Sequence, residues 1–170
     1  VLIGVQSIDE IRNELAQKRE RIFIATISSQ TIASLQARWG MQPPAVWTRV
    51  CAALKQLGFD QVHDLSLARH MSLYETVREF RLRREARMRG TNDAPTLPMV
   101  ASACPGWVCY AEKAHGELLP YVATTKSPQQ LAGILAKRIW GPQQKGVDIS
   151  QDSAPYVYLS LIHISEPTRP

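Results

Sequence analysis

The sequence is poor in the residues that brace small secreted folds and in those that span membranes. Only Cys51, Cys104 and Cys109 are present, 3 cysteines in 170 residues. So small and odd a set excludes a disulfide scaffold and suits a reducing compartment. Aromatic residues are 7% of the chain, and they do not alternate with basic residues as a single-strand stacking surface requires. No apolar run approaches the ~18 residues of a membrane span. Gly-x-Gly-x-x-Gly and the P-loop are both missing, so nucleotide binding has no motif behind it. No internal repeat is visible. Charge of one sign is not in large excess: 20 Lys+Arg against 15 Asp+Glu give +5, too mild to predict nucleic-acid binding.

What is there is an ordinary globular composition, 45% hydrophobic and 21% charged, long enough to bury a real core. The elements alternate. Ser7-Ile-Asp-Glu10 is a capping-box pattern, predicting a helix from about Ile8 to Lys18. Arg21 to Ile27 is a continuous apolar run of strand length, as in a strand buried on both faces. Thr31 to Trp39 reads as a helix stopped by Gly40. Pro43-Pro44 opens another, whose stripe is Val46, Trp47, Val50, Cys51, Leu54 and Leu57. Phe59 to Leu65 reads as a short strand. Ser72-Leu-Tyr-Glu75 predicts the start of a long helix to about Met88. Gly90 to Pro95 is a loop, and Leu97 to Ser102 a buried strand. Helices follow over Pro105 to Lys113 and, from the capping box Ser127-Pro-Gln-Gln130, to about Trp140. Gly141 to Ser153 reads as a polar linker. Strands alternating with helices predict an α/β fold with a mainly parallel sheet.

The two ends read differently from the middle. Residues 1–20 are expected to be the end of an upstream region. Leu159-Ser-Leu-Ile-His-Ile-Ser-Glu-Pro-Thr-Arg169 resembles the translation of a sequencing adapter, so residues 159–170 are expected to be read-through on which nothing upstream is built to pack. The alternative is a genuine strand, Tyr156 to Ile164, before a polar tail. His163 is discounted as a ligand on this ground.

The chemistry gathers around Ser102-Ala-Cys104-Pro105-Gly106-Trp107, where a strand is expected to meet a helix N-terminus. Ligand sites in open α/β sheets lie at such strand ends. The helix start favours an anion, a thiolate included, and thiolates are what bind iron in iron–sulfur clusters. A buried, inert cysteine in a tight turn is the alternative for Cys104. Cys51, on an apolar helix face, reads as packing. Cys109 is badly spaced to share a metal with Cys104. His70 reads as a surface or capping residue, and His63 and His115 have no partner spacing. Six arginines between Arg78 and Arg89 could meet an acidic partner or nucleic acid. However, Glu75, Glu79 and Glu85 are interleaved, and Glu75–Arg78 and Glu79–Arg83 are ion-pair spacings, so a solvated face is expected.

Ala101-Ser-Ala-Cys-Pro-Gly-Trp-Val-Cys-Tyr-Ala-Glu-Lys113 resembles the first signature of the iron-only hydrogenase superfamily. Lys126-Ser-Pro-Gln-Gln130 and Leu54-Lys-Gln-Leu-Gly-Phe-Asp60 are similar to flanking segments of that family. Arg69-His-Met-Ser-Leu73 and Trp107 to Lys113 bring the chain nearer the cytosolic iron–sulfur assembly factors, the nuclear prelamin A recognition factor-like proteins. The resemblance implies that residues 21–158 are part of a hydrogenase-like large-subunit domain. It implies Cys104 as a ligand of a [4Fe–4S] cluster, with Pro105, Gly106 and Trp107 shaping its pocket and three further cysteines outside this chain. It also implies assembly proteins and apoprotein recipients as partners, in the cytoplasm with the nucleus as a second compartment, and with no membrane or nucleic acid.

In true hydrogenases a cysteine directly before the ligand cysteine passes protons on to a Glu, a Ser and a second Glu. Those positions fall on Ala103, Thr76, Ala123 and Glu79. Only Glu79 is kept, so hydrogen turnover is not expected. An active hydrogenase and a cluster-free prelamin-binding module are the competing readings. Ser28-Ser29-Gln30 departs from the family's Ser-Pro-Gln.

Overall fold

A computed structural model describes residues 8–17, 22–90, 97–145 and 157–162. The elements run α1 (Ile8–Ala16), β1 (Ile22–Ile27), α2 (Ser29–Trp39), α3 (Pro43–Gln56), β2 (Gln61–Asp64), α4 (Ser66–Met88), α5 (Pro105–Ala114), α6 (Pro128–Leu135), α7 (Gly141–Lys145) and β3 (Val157–Ile162). A 3₁₀ segment occupies Gly116–Tyr121, and a π-helical turn Ala136–Trp140. The chain divides into two compact units, one of Val1–Asp64 with Gly133–Pro170, the other of Leu65–Ala132.

The first unit is built on β1. All six of its residues are buried, as its unbroken apolar run requires. It is the middle strand of a three-stranded sheet in the order β2-β1-β3, and both pairings are parallel. Phe23, Ala25 and Ile27 pack with Leu54 and Phe59, and Ile11, Leu15, Trp47 and Val50 close over them. On the other face Ile22 and Ile24 meet Ala136 and Trp140. The Asp60 carboxylate accepts the Phe23 amide at 2.8 Å, and the Asp60 amide donates to the Phe23 carbonyl at 2.9 Å. A mainly parallel α/β sheet is therefore the architecture.

Local chemistry explains several helix ends. Gly40 closes α2 with φ of 62°, a left-handed position that glycine takes without Cβ strain. Pro43 and Pro44 occupy the first turn of α3. Several expectations are corrected. The second helix begins at Ser29, not Thr31, because Ser28 caps it and accepts the Thr31 amide at 3.2 Å. Leu57, placed in the α3 stripe, is exposed. The strand expected over 59–65 is confined to Gln61–Asp64. Gly141 does not stop the last helix: a π-helical turn leads through it into α7, so the expected linker starts as helix. The capping box at Ser7, the 91–95 part of the expected loop and His163 lie outside the described residues.

β3 crosses position 159, where the adapter-like stretch begins. Leu159, Ser160, Leu161 and Ile162 stand in register with Ile24, Ala25, Thr26 and Ile27. Whatever its origin, an apolar run there supplies the hydrogen bonds that one edge of a fully buried strand must have. The expectation that nothing packs on it does not hold for residues 159–162. Deleting residues 159–170 is therefore expected to lower the thermal midpoint. A loss of about 1–2 kcal/mol corresponds to roughly 2–8 °C at this chain length. Melting curves of the two chains check it, and superimposable curves would show the pairing contributes nothing.

Candidate functional site

The second unit positions the Cys104 motif through α4. Its sequence reads as a solvated helix, yet Arg83 is only 5% exposed. Its guanidinium forks onto Glu79 Oε1, from Nη2 at 2.6 Å and Nε at 3.1 Å. The remaining donors serve an irregular stretch: Nη2 donates to the Val122 carbonyl at 2.9 Å, Nη1 to that of Pro120 at 3.3 Å. Glu79 in turn accepts the Thr124 amide at 3.0 Å and the Thr125 hydroxyl at 3.1 Å. Burial pushes the Glu79 carboxyl up, but the Thr124 amide, Arg83 and Thr125 together outweigh it and hold it below its ordinary value. The other arginines between Arg78 and Arg89 are exposed, as expected.

The stretch so held supports the motif. Val100 and Val122 form an isolated parallel bridge, with the Val100 amide donating to the Tyr121 carbonyl and the Ala123 amide to the Val100 carbonyl, both at 2.8 Å. Ser102 Oγ donates to the Thr125 carbonyl at 3.0 Å. That bridge replaces the buried strand expected over Leu97 to Ser102, a stretch that is partly exposed. The irregular backbone there is satisfied by this single bridge together with side chains rather than by an extended ladder. Ser72, expected to open a helix, lies inside α4, and its hydroxyl donates to the Lys126 carbonyl at 3.0 Å. The capping box at Ser127 is complete: the Gln130 amide donates to Ser127 Oγ at 3.2 Å, and the Ser127 amide to Gln130 Oε1 at 3.0 Å.

Cys104 is the N-cap residue of α5. Its φ and ψ are −98° and 110°, its side chain makes no cap hydrogen bond, and it is exposed. The alternative of a buried Cys104 is thereby corrected. Pro105 and Gly106 form the first turn with Trp107. Cys109 is exposed too and lines a cleft of about 320 Å³ with Ser102, Pro105, Ala123, Ser127 and Gln130. Cys51 is half-buried on α3, and burial pushes its thiol up. Thus no two of the three cysteines are placed together as a ligand pair by any contact described. Among the described residues no three His, Cys, Asp or Glu side chains come together to hold a metal. These residues fit one ligand position of a cluster, an accessible thiol at a helix start, and do not make a full set.

Two histidines without partner spacing do have partners. His63 stacks on Trp140 at 3.8 Å and meets Gln61 Oε1 at 2.7 Å, and burial lowers its pKa. His115 bridges Tyr110 and Glu117. Neither contact follows from a local sequence pattern. His70 is exposed on α4, as expected.

Residues 21–153 match the family described as the iron only hydrogenase large subunit, C-terminal domain. The chain belongs to this family. It is 44% identical over 185 aligned residues to the cytosolic Fe-S cluster assembly factor NAR1 of Mycosarcoma maydis, covering 86% of this chain and 22% of that protein. It is 42% identical to the cytosolic Fe-S cluster assembly factor narfl of Danio rerio, covering 86% and 36%. It is 41% identical to cytosolic iron-sulfur assembly component 3 of Mus musculus, covering 85% and 31%. The chain thus spans between 22% and 36% of the length of these relatives. Among solved structures, apo [FeFe]-hydrogenase HydA1 from Chlamydomonas reinhardtii superposes with a TM-score of 0.72 at 24% identity, over 92% of this chain and 37% of that one. A second [FeFe]-hydrogenase gives the same TM-score at 23% identity, over 92% and 38%. These two share the fold.

The Arg83–Glu79 pair is expected to dominate the stability of this unit. Arg83→Met removes the cationic partner of the mostly buried Glu79 carboxylate and the donors to the Pro120 and Val122 carbonyls, and a loss of about 3–5 kcal/mol is expected. Because the Glu79 carboxyl is held low, its contribution is complete above the ordinary carboxylate range and is lost as pH falls through the depressed folded value. Glu79→Gln is expected to be less stable at neutral pH, with a flatter acid limb. Denaturant midpoints across acid pH check both, and parallel profiles for wild type and Glu79→Gln would contradict the assignment.

Proposed function

We propose that the parent protein of this chain serves cytosolic iron–sulfur assembly, holding or transferring a cluster, and that it is not a hydrogenase. Cys104 supplies one thiolate to a [4Fe–4S] cluster, and the other ligands come from outside this segment. Pro105, Gly106 and Trp107 shape the adjoining surface. Assembly proteins and apoprotein recipients are the partners, and the cytoplasm is the compartment. When bound, the cluster supplies iron and sulfide for transfer or a one-electron couple.

The observation that carries the choice against an enzyme is the state of the relay positions. Ala103 has no exchangeable proton. Ala123 is buried, with 5% exposure, and offers only its methyl group. The Thr76 hydroxyl donates back to the Ser72 carbonyl at 2.8 Å, within its own helix. Glu79 is ionised and committed to Arg83, Thr124 and Thr125. A proton carrier must exchange partners and have a pKa near the working pH; Glu79 does neither. The names of the relatives support the assembly reading. No helix among the described residues is long and apolar enough to cross a membrane.

In the full-length parent, Cys104→Ser is expected to lower iron and sulfide content and visible absorbance, since an alcohol oxygen is a poor ligand for cluster iron. Cys51→Ser is expected to leave them unchanged. Neither wild type nor Ala103→Cys is expected to evolve hydrogen. Equal iron loading in Cys104→Ser and wild type would remove the ligand assignment, and hydrogen release by wild type would reverse the choice of function.

A further inference from the structure

Helix α4 carries its polarity the wrong way round for a packed helix. The stripe it covers runs through Ala68, Ser72, Thr76, Glu79 and Arg83, all buried or half-buried. That stripe is mostly polar and serves the backbone of 120–126. An amphipathic helix ordinarily turns its apolar stripe inward. In α4 the large apolar side chains lie outside: Leu67, Met71, Leu73, Tyr74, Val77 and Phe80 are exposed, Tyr74 at 71% and Val77 at 50%. They stand in two adjacent rows, 67, 71, 74 and 73, 77, 80, each at the spacing of helix-surface neighbours. A contiguous apolar patch of this kind marks an interaction site, which singly scattered residues do not.

A groove of about 170 Å³ lies on this face, lined by Tyr74, Val77, Arg78, Arg81, Leu82 and Glu85. The first four stand at i, i+3, i+4 and i+7. Four residues so placed frame a hole that receives one knob side chain of a facing helix. The rim of the hole is basic. Arg78 pairs with Glu75 at 3.3 Å, and Arg89 with Glu85 at 3.9 Å. Arg81 and Arg84 are exposed and have no acidic partner among the described residues.

These features decide what fits. Tyr, Phe, Met and Arg together, without Lys, are the residue types enriched where separate chains meet. A fixed apolar cover would strand the Arg81 and Arg84 guanidiniums, at the cost of burying unpaired charge. A second copy docked through its own α4 face would offer them only Glu75 and Glu85, which are already paired. The cover must therefore bring carboxylates of its own.

We propose that the exposed face of α4 docks an acidic amphipathic helix of a separate partner protein. One large apolar side chain of that helix enters the hole framed by Tyr74, Val77, Arg78 and Arg81. Asp or Glu residues beside it pair with Arg81 and Arg84. This is helix-in-groove recognition, in which apolar anchors give affinity and the charged rim selects the partner. The site lies within the Leu65–Ala132 unit and uses neither Cys104 nor a cluster, so its failure leaves the assembly reading standing.

The test uses the full-length parent and a fluorescent helical peptide of three heptads, with Leu at positions a and d and Glu at e and g. A counterpart carries Lys at e and g. The Glu peptide is expected to bind, and the Lys peptide to bind about tenfold more weakly or worse. Val77→Glu, which puts a carboxylate into the hole from an exposed position, is expected to weaken the Glu peptide about tenfold or more. Arg81→Glu with Arg84→Glu is expected to reverse the preference, so that the Lys peptide binds tighter. Lys137→Glu with Arg138→Glu makes the same change of net charge at exposed positions of the other unit, and is expected to leave the preference as it was. Failure of the Glu peptide to bind, equal binding of the two peptides, or binding unchanged in Val77→Glu would overturn the proposal. So would binding by the 170-residue chain but not by the parent, since the parent's own chain would then cover α4. Self-association of the parent that Val77→Glu abolishes would place a second copy there and would overturn it equally.

Discussion

The second unit depends on a single buried ion pair. Arg83 and Glu79 sit one helical turn apart on α4, at a spacing that on a surface would be worth a few tenths of a kcal/mol. Here the pair faces the irregular stretch 120–125, whose carbonyls and amides have no ladder to satisfy them. The guanidinium has five donors and the carboxylate several lone pairs, and between them they answer Pro120, Val122, Thr124 and Thr125. The same stretch then holds Val100 and Ser102 on its other side. The backbone leading into Cys104 is therefore fixed at second hand, from α4 through 120–125. Removing one partner costs more than the pair itself is worth, because it also strands the groups the pair serves.

In the first unit the corresponding constraint is the burial of β1. A strand buried on both faces needs apolar neighbours above and below and a hydrogen-bonded neighbour on each edge. The faces are supplied by α1, α3 and the π-helical turn, the edges by β2 and β3. This requirement is indifferent to how the β3 residues came to be there. An apolar segment of strand length that reaches the open edge of β1 will pair with it, which is why a tail read as foreign from its likeness to an adapter translation still completes the sheet.

The elements whose cause is local were legible. Gly40 and the Ser127–Gln130 box each act within four residues, and each stands as the pattern implies. The apolar run of β1 likewise announced a strand buried on both faces. The Ser72–Glu75 pattern has the same letters as a capping box but sits inside α4. Its serine finds an acceptor at Lys126, 54 residues away, and no local motif encodes that partner. The arginine run shows the same limit. Helical spacing identified Glu79–Arg83 as a pair, but which arginine is buried is decided by the stretch near residue 122. Leu97 to Ser102 has strand composition yet forms one bridge, because its neighbour is itself irregular. The Cys104 motif stood out by its place before a helix start and by its resemblance to a family signature; its exposure did not follow from either.

Glu79 also shows how a position can outlast the role its family gives it. The relay implied by the resemblance needs four groups in sequence, and three of them are missing here. If Glu79 served only protons, its presence beside Ala103, Thr76 and Ala123 would have no cause. The clamp supplies one: it requires an ionised, immobile carboxylate at this point of α4, whether or not protons pass. The two roles make opposite demands. A relay carboxyl must be near neutrality of charge and free to exchange partners, whereas the clamp gains from a low pKa and fixed ones. The geometry satisfies the second set of demands. A family member that had lost its proton path could still keep Glu79 and Arg83, since without them the 120–125 stretch, and with it the approach to Cys104, would lose the side chains that fix it to α4.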